Sequence, residues 1–138
     1  MSNLKWQWMP MFYLSCLLLL NVISTPWAIS QMPDECPEES RNCAHVVIEL
    51  DVSDEELNDA IREWARDRSF TTTYSEGHVI DRTLLMQFPD DLLYENRCGT
   101  VELHSQSRLG IGDLGVNNNR LENLIEFLEN FDWKSTCQ

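Results

Sequence analysis

Asp90 and Asp91 stand side by side after Pro89, and a stretch rich in hydroxyls, amides and glycines runs from Ser105 to Arg120 with an arginine at position 108 and another at its end. Paired carboxylates bind cations or do acid–base work, and a glycine-flexed loop ahead of a helix offers backbone N–H groups to an anion. Arg82, Asp90, Asp91, Arg108, Asp113, Asn117 and Arg120 are therefore the candidate ligand-binding residues, and none is assigned a catalytic role. Each also has a plainer reading. Adjacent aspartates after a proline commonly cap a turn. Arg108 lies five residues before Asp113 and is placed to pair with it, pinning the loop. Pinning is the favoured role.

Other patterns carry less chemistry. Gly110 to Gly115 spells GxGxxG, but a dinucleotide site needs a second parallel strand ending in an acidic residue about 20 residues on. The chain ends 23 residues past Gly115, with one helix in that stretch. The glycines then serve a sharp strand-to-helix turn. His104 adjoins Ser105, with Ser107 close by, yet neighbours in a strand point to opposite faces. No G-x-S-x-G elbow is present either. His45, His78 and His104 lack metal-ligand spacing and read as ordinary polar strand residues. No metal or cofactor is implied.

The elements that position these residues follow from periodicity. His45–Asp51 alternates Val46, Ile48 and Leu50 and suits a strand. Ser53 and Glu56 form the S-x-x-E capping box of a helix whose buried stripe is Leu57, Ala60, Ile61, Trp64 and Ala65. Phe70–Tyr74 reads as a strand, and Glu76-Gly77 as a turn into a long strand, His78–Phe88. In that strand Ile80, Leu84, Met86 and Phe88 share one face, while Asp81, Thr83 and Gln87 mark the other. Pro89-Asp90-Asp91 breaks it, and Leu92–Glu95 and Thr100–Ser107 follow around a turn through Asn96 and Gly99. The asparagines at 117–119 cap a second helix striped by Leu121, Leu124, Ile125, Leu128 and Phe131. The predicted fold class is α+β: one antiparallel sheet with two helices on one face, in β-α-β-β-β-β-α order. This order is similar to TATA-binding-like and helix-grip architectures; a helix-grip cavity enclosed between helices and sheet would hold an apolar molecule.

The first thirty residues are laid out as a signal peptide. Lys5 precedes an apolar run from Met11 to Ile23 containing Leu17-Leu18-Leu19-Leu20; Ser24, Thr25 and Pro26 break it. Ala28 and Ser30 place small residues before a cut at Gln31. The alternative is a membrane anchor over residues 8–29, which reaches the required ~20 residues only by absorbing Asn21 and Pro26. Residues 31–44 form a polar, Cys-containing leader, and 45–138 the domain. The formal charge of −13 grows by one unit once Lys5 leaves, which disfavours nucleic acid and repels anionic lipid. Contact with a membrane then comes only through an uncleaved signal. Cys36, Cys43, Cys98 and Cys137 remain, an even count that suggests two disulfides in an exported chain. Three pairings are open. Cys36–Cys43 would close a local loop, leaving Cys98–Cys137 to tie a hairpin to the C-terminus. Zinc is disfavoured, because CxxC pairs and paired histidines are missing.

The segment Ser105, Ser107, Arg108, Gly110, Asp113, Gly115, Asn117, Arg120 resembles the pattern R-S-x-S-R-x-G-x-x-D-x-G-x-N-x-x-R of the domain of unknown function 1499 family. Arg82-Thr83 with Phe88-Pro89-Asp90-Asp91 is similar to its T-x-x-x-x-F-x-D-D element, and Cys36-Pro37 with Asn42-Cys43 to its C-P-x-x-P-N-C opening. Three departures stand out. His104 occupies the place of an arginine, the cysteine spacing is one residue longer, and Arg41 stands where the proline would be. The family has no established activity, so the resemblance implies a domain and not a reaction. The leading expectation is an exported, non-catalytic domain that binds a small ligand or an envelope protein. A hydrolase or transferase using Asp90, Asp91 and the Arg108–Asp113 loop is the alternative, and it needs a concave pocket joining Asp90, Arg108 and Asp113.

Overall fold

A computed structural model describes residues 6–83, 87–110, 112 and 114–137. In chain order the elements are α1 (Met9–Ile23), β1 (Cys43–Leu50), α2 (Asp54–Arg68), β2 (Thr73–Ser75), β3 (His78–Arg82), β4 (Pro89–Asn96), β5 (Gly99–Ser107) and α3 (Val116–Glu129). The five strands form one sheet in the order β1-β5-β4-β3-β2, antiparallel at every pairing. After α1, this is the β-α-β-β-β-β-α order expected from periodicity.

Strand alternation sorts residues onto two faces. The inner face, under α2 and α3, carries Val79, Leu92, Val101 and Leu103, which pack with Leu57, Ile61, Trp64, Leu121, Leu124 and Leu128. Leu57, Ile61, Leu92, Leu103, Leu124 and Leu128 are fully buried. Each such side chain contributes about 1.5–3 kcal/mol by leaving water. Side chains therefore fill the space where a helix-grip cavity was expected. The outer face carries His104, Leu93 and Asp91, and these are buried too. Ile29, Ser30, Met32 and Cys36 lie against that face. The 31–44 leader is thus part of the packed structure: Cys43 opens β1, and Ala44 joins the core.

Several local expectations shift. The long strand from His78 ends at Arg82, because Thr83 and Phe88 close a turn by backbone hydrogen bonding, with Gln87 at φ 52°. Pro89-Asp90-Asp91 then opens β4 instead of breaking a strand. Val79 and Asp81 face the helices and Ile80 faces outward, the reverse of the expected phase. Leu84 and Met86 lie outside the described residues. The strand expected at Phe70–Tyr74 shortens to Thr73–Ser75, because a turn bonded Thr72 N–H to Ser69 O holds the preceding residues. Ser53 caps α2 by accepting from Glu56 N–H, but the Glu56 carboxylate turns to Lys134 and Ser135 of the tail. Gly115, at φ 82°, precedes α3, and the asparagines fall inside its first turn. Disulfides join Cys36 to Cys43 and Cys98 to Cys137. Among the described residues no helix is long and apolar enough to cross a membrane.

Candidate functional site

The sheet register puts Asp81 opposite Asp90, both beneath α3. Two adjacent buried carboxylates require cationic partners. Arg120, on the first turns of α3, supplies one: Nε donates to Asp81 at 2.9 Å and Nη2 to Asp90 at 2.5 Å. Its Nη1 donates to Ser105 Oγ and Asn117 Oδ1. Arg68 at the end of α2 donates to Asp81 from the other side, at 2.9 Å. Burial pushes the Asp81 carboxyl up, but the hydrogen bond from Arg68 and the charges of Arg120 and Arg68 outweigh it and hold the group below its usual range. Asn117 closes the cluster by donating to Ser107 Oγ and to Asn42 O, both at 2.9 Å. Asn117 is the second residue of α3, inside the position that Gly115 holds as N-cap.

Asp91 points the other way, as the residue after Asp90 in a strand must. It is fully buried and accepts a forked pair from Arg108, Nε at 2.8 Å and Nη2 at 2.6 Å. His78 Nε2 lies 2.7 Å from the same carboxylate, and Ile29 N–H donates to it at 3.1 Å. Burial raises this carboxyl as well, yet the bonds from Arg108, His78 and Ile29 together hold it low. Arg82 stands nearby, donating to Thr71 O and Asn21 Oδ1. Burial, and then the charge of Arg108, lower its pKa.

The sequence candidates thus divide. Asp90, Asn117 and Arg120 meet on the inner face; Arg82, Asp91 and Arg108 gather on the outer face. The sheet separates Asp90 from Arg108, so among the described residues these two do not face one pocket as the enzymatic alternative required. Arg108 pairs with Asp91; Asp113 lies outside the described residues. Among the described residues no buried side-chain nitrogen or oxygen lacks a partner. These are satisfied networks, and they hold the ends of β3, β4 and β5 to α3 and to the N-terminal segment.

Sequence reasoning missed Asp81, Arg68 and His78 as members. Asp81 was assigned to the wrong face, since a charge in a strand ordinarily faces water. It also read the histidines as ordinary. His104 is fully buried, with its Nδ1 3.2 Å from His45 Nδ1.

The open surface lies elsewhere. A groove of about 1180 Å³ runs between the C-terminal half of α2 and the outer side of α3. Trp64, Phe127 and Phe131 give it apolar walls, and Arg68, Asp81 and Arg120 form part of its lining. Glu63, Asp67, Glu126 and Asp132 also line it. Arg68 lies over the Trp64 ring at 4.7 Å, and the Trp64 indole N–H donates to Asn123. Arg68 and Arg120 are already neutralised by Asp81 and Asp90; Arg82 also lines the groove, and the four remaining carboxylates outnumber that one guanidinium, which leaves the groove acidic.

The family model described as a protein of unknown function, DUF1499, matches residues 21–128. The chain belongs to the DUF1499 family. No curated protein matches it. In this DUF1499 chain the serine, asparagine and arginine positions of the C-terminal motif, Ser105, Ser107, Asn117 and Arg120, form the inner network with Asp81 and Asp90. Arg108 and Asp91 form the outer one. The described polar positions of the motif thus tie the sheet to α3 and to the N-terminal segment. The match also takes in Asn21 and Ile29, which bond to Arg82 and Asp91 of the sheet.

Proposed function

We propose that this DUF1499 protein is an exported, non-catalytic domain that binds a cationic ligand, or a basic segment of an envelope partner, in the groove between α2 and α3. The carrying observation is the groove itself: aromatic walls and four carboxylates not used by the buried networks. An aromatic face beside carboxylates suits a desolvated cation, whereas the field of a −13 chain disfavours anions. The saturation of Asp90, Asp91, Arg108 and Arg120 supports binding over hydrolysis or transfer. Two disulfides and the apolar N-terminal run support export.

The fate of that run has two readings. Cleavage before Gln31 follows from Ala28 and Ser30. Retention is favoured by two contacts that cleavage would remove: Asn21 to Arg82, and Ile29 N–H to Asp91. N-terminal sequencing of the exported protein decides between Gln31 and an upstream terminus.

Native mass spectrometry of the protein recovered from its own envelope tests the binding reading. A bound species should appear on the wild type and vanish from Glu63→Lys/Glu126→Lys. A wild-type protein that carries nothing, or a bound species indifferent to the double variant, would count against the groove.

A further inference from the structure

The pairing of β1 with β5 sets His45 directly opposite His104 and Cys43 opposite Gln106, all on the outer face. The disulfide adds Cys36 to the same place. Sequence spacing hides this group, because the histidines lie 59 residues apart.

A row of contacts crosses the group. His45 Nε2 lies 3.3 Å from Glu102, His45 Nδ1 lies 3.2 Å from His104 Nδ1, and His104 Nε2 lies 3.2 Å from Gln106 Oε1. Three links need three protons, and two neutral imidazoles supply two. The third link is completed by a further proton on the imidazole pair, by turning the Gln106 amide NH₂ toward Nε2, or by a cation placed there. With His45 donating to Glu102 and His104 donating to His45, the lone pair of His104 Nε2 faces Cys43 Sγ at 3.5 Å. This is the arrangement in which a ligating histidine is oriented through its other nitrogen, here by a second histidine and a carboxylate.

We propose that the reduced form of this face binds one zinc-type cation through Cys36 Sγ, Cys43 Sγ and His104 Nε2, with Gln106 Oε1 or water as fourth ligand. The ligand atoms of Cys36, Cys43 and His104 already lie within 4.8 Å of one another. Tetrahedral zinc with usual bond lengths separates a sulfur from an imidazole nitrogen by about 3.6 Å and two sulfurs by about 3.8 Å. The Cys43–His104 spacing is in place, and opening the disulfide gives Cys36 the movement it needs. An external dithiol supplies the reaction: it gives two electrons and two protons to the Cys36–Cys43 bond and itself becomes a disulfide. Zn²⁺ then displaces the two thiol protons to solvent as two Zn–S bonds form. His104 stands where the family pattern has an arginine, so the site belongs to this chain's own departure from that pattern.

Cobalt(II) is the probe, because thiolate ligation gives it an intense charge-transfer absorption. The full chain carrying Cys16→Ser, Cys98→Ser and Cys137→Ser excludes the other thiols. After reduction under anaerobic conditions it should take up one equivalent of Co²⁺ with that absorption, and Zn²⁺ should displace it. The oxidised protein should show none. His104→Phe should lower affinity at least tenfold, and His45→Phe, which leaves every ligand in place, by about 10–100-fold. Circular dichroism checks that the variants are folded. The proposal is overturned by a reduced protein without the absorption, or by affinity that both histidine variants leave unchanged.

Discussion

Arg120→Met removes the guanidinium that faces Asp81 and Asp90 while keeping most of the side chain's volume. The consequences for the two carboxylates differ. Asp81 keeps Arg68 at 2.9 Å and Thr72 Oγ1 at 2.9 Å. Asp90, which meets Arg120 at 2.5 Å and is 2% exposed, is left buried without that cation. Breaking one buried pair costs about 3–5 kcal/mol. That is a large share of the roughly 5–15 kcal/mol that holds a typical domain folded. Asp90→Asn should be destabilising on its own, and combining it with Arg120→Met should cost less than the sum, because the second change removes the charge that the first stranded. Arg108→Met is the contrast: Asp91 keeps His78 and Ile29 N–H, so the loss should be nearer 1.5–3 kcal/mol. Urea unfolding of the full chain reads all four. A loss below about 1 kcal/mol for Arg120→Met, or strict additivity with Asp90→Asn, would refute the keystone role.

Asp81 and Asp91 are held below their usual range, so their contribution is complete above the unfolded value of about 3.9 and disappears as pH falls through the folded values. Acid titration should show cooperative loss of structure beginning below about pH 4, and Asp91→Asn should weaken that dependence. His104 is shifted down by burial, so its contribution is complete above about pH 6.5 and declines as pH falls below it; His104→Gln should flatten this part of the stability profile. The Cys98–Cys137 bond spans 39 positions and ties the β4–β5 turn to the tail. Its removal by Cys98→Ser/Cys137→Ser should cost about 2–4 kcal/mol in urea unfolding.

The architecture was readable where periodicity and capping agreed. The stripe Leu57, Ala60, Ile61, Trp64, Ala65 is the buried face of α2, and Ser53 caps it. Leu121, Leu124 and Leu128 do the same for α3. Sequence left three cysteine pairings open, and the structure takes the one that closes a local loop at Cys36–Cys43 and ties Cys98 to Cys137. Legibility failed where a charge lies inside. Asp81 and Asp90 look like surface or turn residues, and what reverses that is Arg120, which lies 30 residues beyond Asp90 and meets both through the fold. The conjunction of His45, His104 and Cys43 was invisible for the same reason: register across β1 and β5 creates it, and single-strand spacing does not encode register. The Asp90–Asp91 pair was legible as unusual, but its division between two faces needed the strand assignment that the preceding proline argued against.

The most direct test of the central claim is an NMR titration of the full-length ¹⁵N-labelled protein with a lysine-rich peptide, at low and at moderate salt. A cationic occupant of the groove should shift the Trp64 indole N–H and the Asn123 side-chain amide saturably, with affinity that falls as salt rises, while the Arg108 guanidinium signal on the outer face stays in place. Saturable shifts centred on the outer face, or a groove unmoved at low salt by peptide in excess, would contradict it.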